Sequence, residues 1–188
     1  MTDSEKTTSR FRTVDLAYIA LFAVLMAVCA WITIPIPKPF VQFTLQTFAV
    51  FMALITLGGR RGLYVTVVYL LMGAVGVPVF SGFKSGVGAL MGSTGGYIIG
   101  FIFTALIVGY ISDKTGGKLW CVVSGMIAGV LACYVFGTGW FAVVYAKTSE
   151  PTPLATILGW CVFPFLIPDA VKIGVAAVLA NRLKRFVK

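Results

Sequence analysis

The sequence predicts an all-helical integral membrane protein of one domain, residues 1–188, with six transmembrane helices and both termini in the cytoplasm. Composition gives the class: 59% of the 188 residues are hydrophobic, only 11% are charged, and the mean hydropathy is +0.98. Soluble domains carry about 25% charged residues. Two further observations, the lengths of the apolar runs and the distribution of Lys and Arg, give the number of spans and their orientation.

The polar residues 1–13 form a cytoplasmic N-terminal segment in this prediction, because they lack the apolar core and cleavage site of a signal peptide. A spanning helix needs about 20 mostly apolar residues. The runs that approach this length are 14–33, 43–57, 63–79, 94–111, 119–136 and a last one within 156–183.

Basic residues divide unequally between the two sides of this six-helix map. One side carries eleven of them: Lys6, Arg10, Arg12, Arg60, Arg61, Lys114, Lys118, Arg182, Lys184, Arg185 and Lys188. The other side carries Lys38, Lys84 and Lys147. The positive-inside rule assigns the richer side to the cytoplasm. The net charge of +9 is therefore a topology signal and a contact with the lipid bilayer rather than a nucleic-acid footprint.

Asp169 and Lys172 are the most informative residues, because they form a charged pair inside the last apolar run. A charge at a helix centre costs about 2.5–3.5 kcal/mol on insertion scales, so such residues usually face a cavity and serve a function. Pro168 suits the first position of a helix, which places Asp169 in the first turn and Lys172 on the same face. The alternative is a self-neutralising pair that only lets the helix insert. On the six-helix map the pair lies in the outer half of the membrane.

Other polar and aromatic residues fall near the outer ends of the predicted helices and are candidates for the walls of one pocket. The predicted substrate-binding set is Trp31, Gln46, Phe80, Phe83, Ser85, Ser93, Tyr97, Tyr145, Asp169 and Lys172. Each aromatic residue alone is also explained as an anchor at the membrane interface. As a set around one ion pair, they resemble a ligand site with apolar walls and a few polar groups.

Two outer loops have unusual compositions. Prolines at 35, 37 and 39 predict a stiff, extended segment. In the glycine-rich stretch 82–100 we expect Gly82 and Gly86 to form a loop, and the later glycines, spaced by four, to pack helices together.

Enzyme motifs are missing from the sequence, so we predict no catalytic residue, no cofactor and no metal site. There is no histidine and no complete phosphate-binding loop. The cysteines lie in or near spans without metal-like spacing, which favours small packing residues over a disulfide framework. They are Cys29, Cys121, Cys133 and Cys161.

Five segments, in this order along the chain, resemble the BioY family of biotin transporters. They are Phe43-Thr-Leu-Gln-Thr47, Leu57-Gly-Gly-Arg-Arg-Gly62, Tyr69-Leu-Leu-Met-Gly-Ala-Val-Gly-Val-Pro-Val-Phe80, Gly92-Ser-Thr-Gly-Gly-Tyr97 and Pro164-Phe-Leu-Ile-Pro-Asp-Ala-Val-Lys172. The resemblance implies a substrate-binding S component of an energy-coupling factor (ECF) transporter in a prokaryotic cell membrane. It also implies an outward-facing biotin site, and partners comprising a transmembrane T component and two cytoplasmic ATPases.

The first predicted helix carries a stripe of small residues, Ala20, Ala23, Ala27 and Ala30. Such a stripe lets another helix approach closely. The spacing leaves open whether that helix belongs to this chain or to another, and the resemblance implies docking on the T component.

The ureido ring of biotin has two N–H donors and one carbonyl, which would match one carboxylate and one ammonium group. Lys172 could instead meet the valerate carboxylate, and the spacing does not decide between them. Two alternatives remain open: an S component for another vitamin, and an ion-coupled solo transporter with Asp169 as its proton site. Folds of the second kind often contain inverted repeats, and the sequence shows no convincing repeat.

Overall fold

The computed structural model describes residues 12–34, 36–37, 40–147 and 152–183, which form a helical bundle with one short β-hairpin at one end. The elements in chain order are α1 (Thr13–Trp31), β1 (Thr33–Ile34), β2 (Phe43–Thr44), α2 (Gln46–Leu57), α3 (Gly59–Ala74), α4 (Gly86–Met91), α5 (Gly95–Thr115), α6 (Leu119–Ala146), α7 (Leu154–Cys161) and α8 (Phe163–Leu183). Within these residues, four segments are long and apolar enough to cross a membrane: α1, α5, α6 and Leu154–Leu179. The fold is that of a mostly helical, multi-pass membrane protein.

Helix α2 lies in the centre of the bundle, because its apolar residues cover its whole circumference. Most of its residues from Ala49 to Leu57 are buried. The helix has 12 residues, about 18 Å, which is shorter than the roughly 30 Å hydrocarbon core. The predicted span 43–57 therefore begins too early. Phe43 and Thr44 belong instead to β2, which pairs with β1 in antiparallel register.

Helix α3 begins and ends earlier than the predicted run 63–79. Gly58, at φ +83°, forms the tight turn after α2 and adopts a conformation that side chains disfavour. Helix α3 can therefore begin at once, at Gly59. It ends at Ala74, and Pro78 lies in the irregular segment that follows, where its missing N–H breaks no helical bond.

Helices α5 and α6 form a close pair because small residues on each side admit the other. A Cβ at Gly100 would lie 2.7 Å from Cys133 Sγ, and a Cβ at Gly137 would lie 2.4 Å from Tyr97 Cδ1. The predicted end of the fifth span at residue 136 is therefore wrong. Gly137 serves close packing rather than helix termination, and α6 continues to Ala146.

The glycine-rich stretch divides much as expected. Gly82 and Gly86 both have positive φ in the turns around Ser81–Phe83, the 3-10 turn before α4. Gly96 and Gly100 pack against α6. The packing prediction fails for Gly88, where an added Cβ would meet open space.

The last predicted span is two helices, α7 and α8, with a break at Val162 (φ −123°, ψ −57°). Pro168 is therefore not the first residue of its helix, and Asp169 is not in the first turn. Helix α8 begins at Phe163, so Pro164 takes the first-turn position where a missing N–H is harmless. Pro168 and Asp169 lie one turn further on, and Lys172 still shares the face of Asp169.

Helix α1 packs inside the bundle through most of its alanine stripe. Ala23, Ala27 and Ala30 are buried among residues of this chain, and only Ala20 is exposed. This corrects the expectation of a free docking face for those three residues, since the close approach they allow is to neighbouring helices of the same chain. In the proline-rich loop, residues 35, 38 and 39 lie outside the described part of the chain.

One end of the bundle brings together the start of α1, the α2–α3 turn and the end of α5. Arg61 Nη2 lies 3.0 Å from Asp15 Oδ1, and the backbone N–H of Arg12 donates to Asp15 Oδ2. The hairpin and α4 lie at the opposite end, where α2 and α5 begin. This end carries the candidate site.

Candidate functional site

A cavity opens at the hairpin end of the bundle and reaches down between α2, α5, α6 and α8. With the open space at its mouth, it has a volume of about 860 Å³. Its walls are mostly apolar, with polar groups from four helices, from β2 and from three loops. The lining residues are Val41, Gln42, Thr44, Gln46, Thr47, Phe80, Ser81, Lys84, Ala89, Thr94, Tyr97, Ile98, Phe101, Thr104, Val130, Cys133, Tyr134, Cys161, Phe165, Asp169 and Lys172.

The Asp169–Lys172 ion pair lies on the α8 wall of this cavity. Lys172 Nζ donates a hydrogen bond of 2.8 Å to Asp169 Oδ1, and the residues are 5% and 6% exposed. The Tyr134 hydroxyl, on α6, donates to the other carboxylate oxygen, Oδ2. A carboxylate has about four lone-pair directions, so Asp169 retains acceptor capacity for a ligand.

Lys172 also contacts an aromatic face. Its Nζ lies 4.3 Å from the centroid of the Phe43 ring, which is a cation–π geometry. Phe43 stacks in turn on Phe165 of α8, with ring centroids 6.3 Å apart. Because Phe43 belongs to β2, the hairpin at the mouth is in direct contact with the buried ammonium group.

Another part of the cavity wall is supported by a polar chain built on α2 and α3. Gln46 Nε2 donates to the Tyr69 hydroxyl at 2.8 Å, and that hydroxyl donates to the Val79 carbonyl at 2.8 Å. The Gln46 amide is thereby held in one orientation at the first residue of α2, where it borders the cavity. Phe80 packs edge-on against Tyr69 and completes this wall.

Five of the ten predicted site residues line the cavity: Gln46, Phe80, Tyr97, Asp169 and Lys172. Their position together is confirmed, while their part in binding stays a prediction. The other five do not line the cavity as the structure describes it: Trp31, Phe83, Ser85, Ser93 and Tyr145.

Three of those five residues have contacts elsewhere. Phe83 is 64% exposed and stacks on Trp31, whose Nε1 donates to the Pro78 carbonyl. Tyr145 stacks on Phe141 and packs edge-on against Trp160. Ser85 precedes α4.

The irregular backbone explains the errors in the loops. Phe83 has φ +57° in the 3-10 turn, which directs it outward, while Ser81 and Lys84 border the cavity instead. Before α5, Thr94 borders the cavity instead of the predicted Ser93. The alternation of inward and outward residues in such turns has no fixed sequence period.

Sequence reasoning missed Tyr134 and Phe43 as neighbours of the ion pair. Tyr134 carries a polar hydroxyl in the middle of an apolar helix, and that isolated polar tip was the available signal. Cys133 and Cys161 also line the cavity. All four cysteines are free thiols, and three are buried, which confirms the packing prediction over a disulfide framework.

The fold and the site together define a multi-pass membrane protein with a mostly apolar cavity that opens at the hairpin end and holds a buried ion pair. A family model described as the BioY family matches residues 3–188. The chain therefore belongs to the BioY family, and the resemblance noted in the sequence is confirmed.

Relatives give the same result, and a solved structure has the same fold. The chain is 37% identical over 165 residues to the biotin transporter BioY of Thermotoga maritima, covering 88% of this chain and 92% of that one. It is 37% identical over 170 residues to the probable biotin transporter BioY of Pyrococcus horikoshii, covering 90% and 96%. The crystal structure of an S component for biotin from an ECF-type ABC transporter superposes with a TM-score of 0.80 and 24% identity, over 98% of this chain and 95% of that one. That last likeness shows the fold.

Proposed function

We propose that this chain is the biotin-binding S component of an ECF-type ABC importer. The observation that carries the proposal is the buried Asp169–Lys172 pair on the cavity wall of a chain from the BioY family. Family membership also confirms the expectation that the chain is not an enzyme, because its relatives are named as transporters.

The ureido ring of biotin belongs, in this proposal, beside the ion pair. Asp169 has lone pairs left to accept from the ring N–H groups, and Lys172 has donors left for the carbonyl. The group recognised there is neutral overall, so it adds no net charge to a neutral buried pair. Placing the valerate carboxylate there would bury a third charge, which costs free energy unless that charge is paired.

The valerate carboxylate belongs instead near the mouth of the cavity. Lys84 borders the cavity and is exposed, so its ammonium group can meet a carboxylate without full desolvation of either charge. Ser81 lies beside it, and its hydroxyl donates to Gln42 Oε1 at 3.0 Å. The apolar cavity walls between the two ends suit the bicycle and the alkyl chain of biotin.

The binding test is a titration of the purified chain with biotin, thiamin and riboflavin by calorimetry. Binding of biotin alone supports the proposal. Binding of thiamin or riboflavin in its place would assign another vitamin, and binding of none would overturn the proposed function.

Transport in this proposal depends on a transmembrane T component and two cytoplasmic ATPases, in the cell membrane of a prokaryote. A cavity that holds its ligand tightly cannot release it uphill without an energy source that changes its affinity. Biotin uptake should therefore require ATP hydrolysis by those partners. Uptake by this chain alone, driven by a proton gradient, would favour the ion-coupled alternative with Asp169 as the proton site.

The proposed topology has six membrane crossings with both termini and the α2–α3 turn in the cytoplasm. In a variant without native cysteines, single cysteines at Arg60 and Ser85 report on the two ends of the bundle. Arg60 is the better position than Gly59, because a Cβ at Gly59 would lie 2.5 Å from the Gly109 Cα. An impermeant thiol reagent applied from outside should label only the variant at Ser85. Labelling of the variant at Arg60 instead would reverse the map.

A further inference from the structure

We infer that Tyr134 is a positioning residue of the ligand site, which holds the Asp169 carboxylate in the orientation that receives the ligand. This inference rests on the proposed biotin-binding function. Tyr134 is 8% exposed, borders the cavity, and donates its hydroxyl hydrogen to Asp169 Oδ2. Lys172 occupies Oδ1. Each carboxylate oxygen thus has one fixed donor, and its remaining lone pairs have fixed directions.

Tyr134 can fix this orientation because its own helix cannot rotate. Helix α6 is in contact with α5 through small residues above and below Tyr134. A Cβ at Gly129 would lie 2.9 Å from Thr104 Cγ2, and one at Gly137 would lie 2.4 Å from Tyr97 Cδ1. The Thr104 hydroxyl also donates to the Gly129 carbonyl at 2.9 Å. A rotation of α6 would bring larger side chains into the places of Gly129 and Gly137, where they would clash with Thr104 and Tyr97.

The hydrogen bond also joins two helices that each pack mainly on a different neighbour. Helix α8 packs mainly on α2, whereas α6 packs mainly on α5. The Tyr134–Asp169 bond crosses from one helix pair to the other beside the cavity. Without it, Lys172, three residues along the same helix, would be the one remaining hydrogen-bond partner of the Asp169 side chain among the described residues.

Removing the hydroxyl should therefore weaken ligand binding only through Asp169. We expect Tyr134→Phe to lower biotin affinity about tenfold, within the range that contacting residues show in double-mutant cycles. In an Asp169→Asn background the same change should cost less than about twofold, because the carboxylate it orients is gone. A biotin carboxamide, which lacks the charged tail, should show the same tenfold loss.

Tyr97→Phe is the matched control, since it removes a second hydroxyl from the same cavity. The Tyr97 hydroxyl bonds to the Thr138 hydroxyl at 2.8 Å, and within the described part of the chain no hydrogen bond joins it to Asp169. Its effect on affinity should be equal in the wild-type and Asp169→Asn backgrounds. Thermal midpoints of the ligand-free variants give a second double-mutant cycle, for stability instead of affinity. In that cycle the effects of Tyr134→Phe and Asp169→Asn on the midpoint should again be non-additive.

The experiment is calorimetric titration of the wild type, the single variants and the double variants. If Asp169→Asn does not fold, Asp169→Asn/Lys172→Met serves as the background, because it leaves no orphaned ammonium. Two results would overturn the positioning role of Tyr134 and leave the proposed function standing. One is an equal loss of affinity from Tyr134→Phe in both backgrounds, and the other is a loss of affinity that vanishes with the carboxamide. Absence of biotin binding by the wild type would overturn the proposed function and this role with it.

Discussion

Asp169→Asn is the most direct test of the site, because this residue is the acid of the buried ion pair on the cavity wall. Its two carboxylate oxygens accept from Lys172 Nζ at 2.8 Å and from the Tyr134 hydroxyl. An asparagine keeps one acceptor oxygen and presents an NH₂ group in place of the other. That NH₂ group must then face a donor, so one of the two existing hydrogen bonds is lost.

The magnitude follows from the kind of hydrogen bond that the ligand would lose. A hydrogen bond to a charged group contributes about 1.5–3 kcal/mol, which corresponds to roughly tenfold to hundredfold in affinity. The folded state also loses stability, because Lys172 is left charged and 6% exposed. Breaking a buried pair by removing one partner costs about 3–5 kcal/mol.

Two further variants separate the loss of binding from the loss of stability. Asp169→Asn/Lys172→Met removes both charges, so we expect it to recover much of the thermal midpoint but none of the affinity. Asp113→Asn neutralises an exposed acid at the opposite end of the bundle and should leave biotin titrations unchanged. Unchanged affinity in a folded Asp169→Asn variant would refute the assignment of the ion pair to the ligand site.

Three other predictions test neighbouring features. Phe43→Leu removes the aromatic face over Lys172, and titration should show an affinity loss of a few-fold, since such contacts contribute about 0.5–2 kcal/mol; an unchanged affinity would mean that the hairpin does not act on the pair. Gly137→Ala should lower the thermal midpoint by the equivalent of about 1–3 kcal/mol. Gly139→Ala should not, because a Cβ at Gly139 would meet open space, and equal effects of the two substitutions would contradict the close approach of α5 and α6. Arg61→Gln should cost under about 1 kcal/mol in a denaturation experiment, because its side chain is 43% exposed, and a larger loss would show that its ion pair is less solvated than the structure indicates.

The sequence predicted those parts of the fold that depend on long apolar runs. Helices α1, α5 and the start of α6 lie within a few residues of the predicted runs, because about 20 apolar residues have few other structures available in a membrane. The predicted helix ends are wrong where one residue type is compatible with two local structures. Gly137 can end a helix or admit a neighbouring ring, and only the position of Tyr97 on another helix decides between them.

The candidate site was predictable where one residue was unusual by itself. Asp169 and Lys172 are conspicuous because charge is costly in an apolar helix, and Gln46 is conspicuous for the same reason in weaker form. Tyr134 gives only a weak signal, one hydroxyl in an apolar helix, and Phe43 is an ordinary residue for its segment. Their importance comes from distances to α8, and those distances depend on how α6 and the hairpin pack, which no spacing along the chain encodes.

These neighbours also bear on whether the ion pair serves only to let α8 insert. A self-neutralising pair needs no partner beyond itself, and three residues of separation on one helix would suffice. The pair instead receives a second hydrogen bond, from α6, and an aromatic face from the hairpin, and it borders a cavity rather than packed side chains. A role in insertion alone gives no reason for contacts from two other elements. A ligand site does, because a carboxylate and an ammonium group can recognise a ligand only if both are held in place.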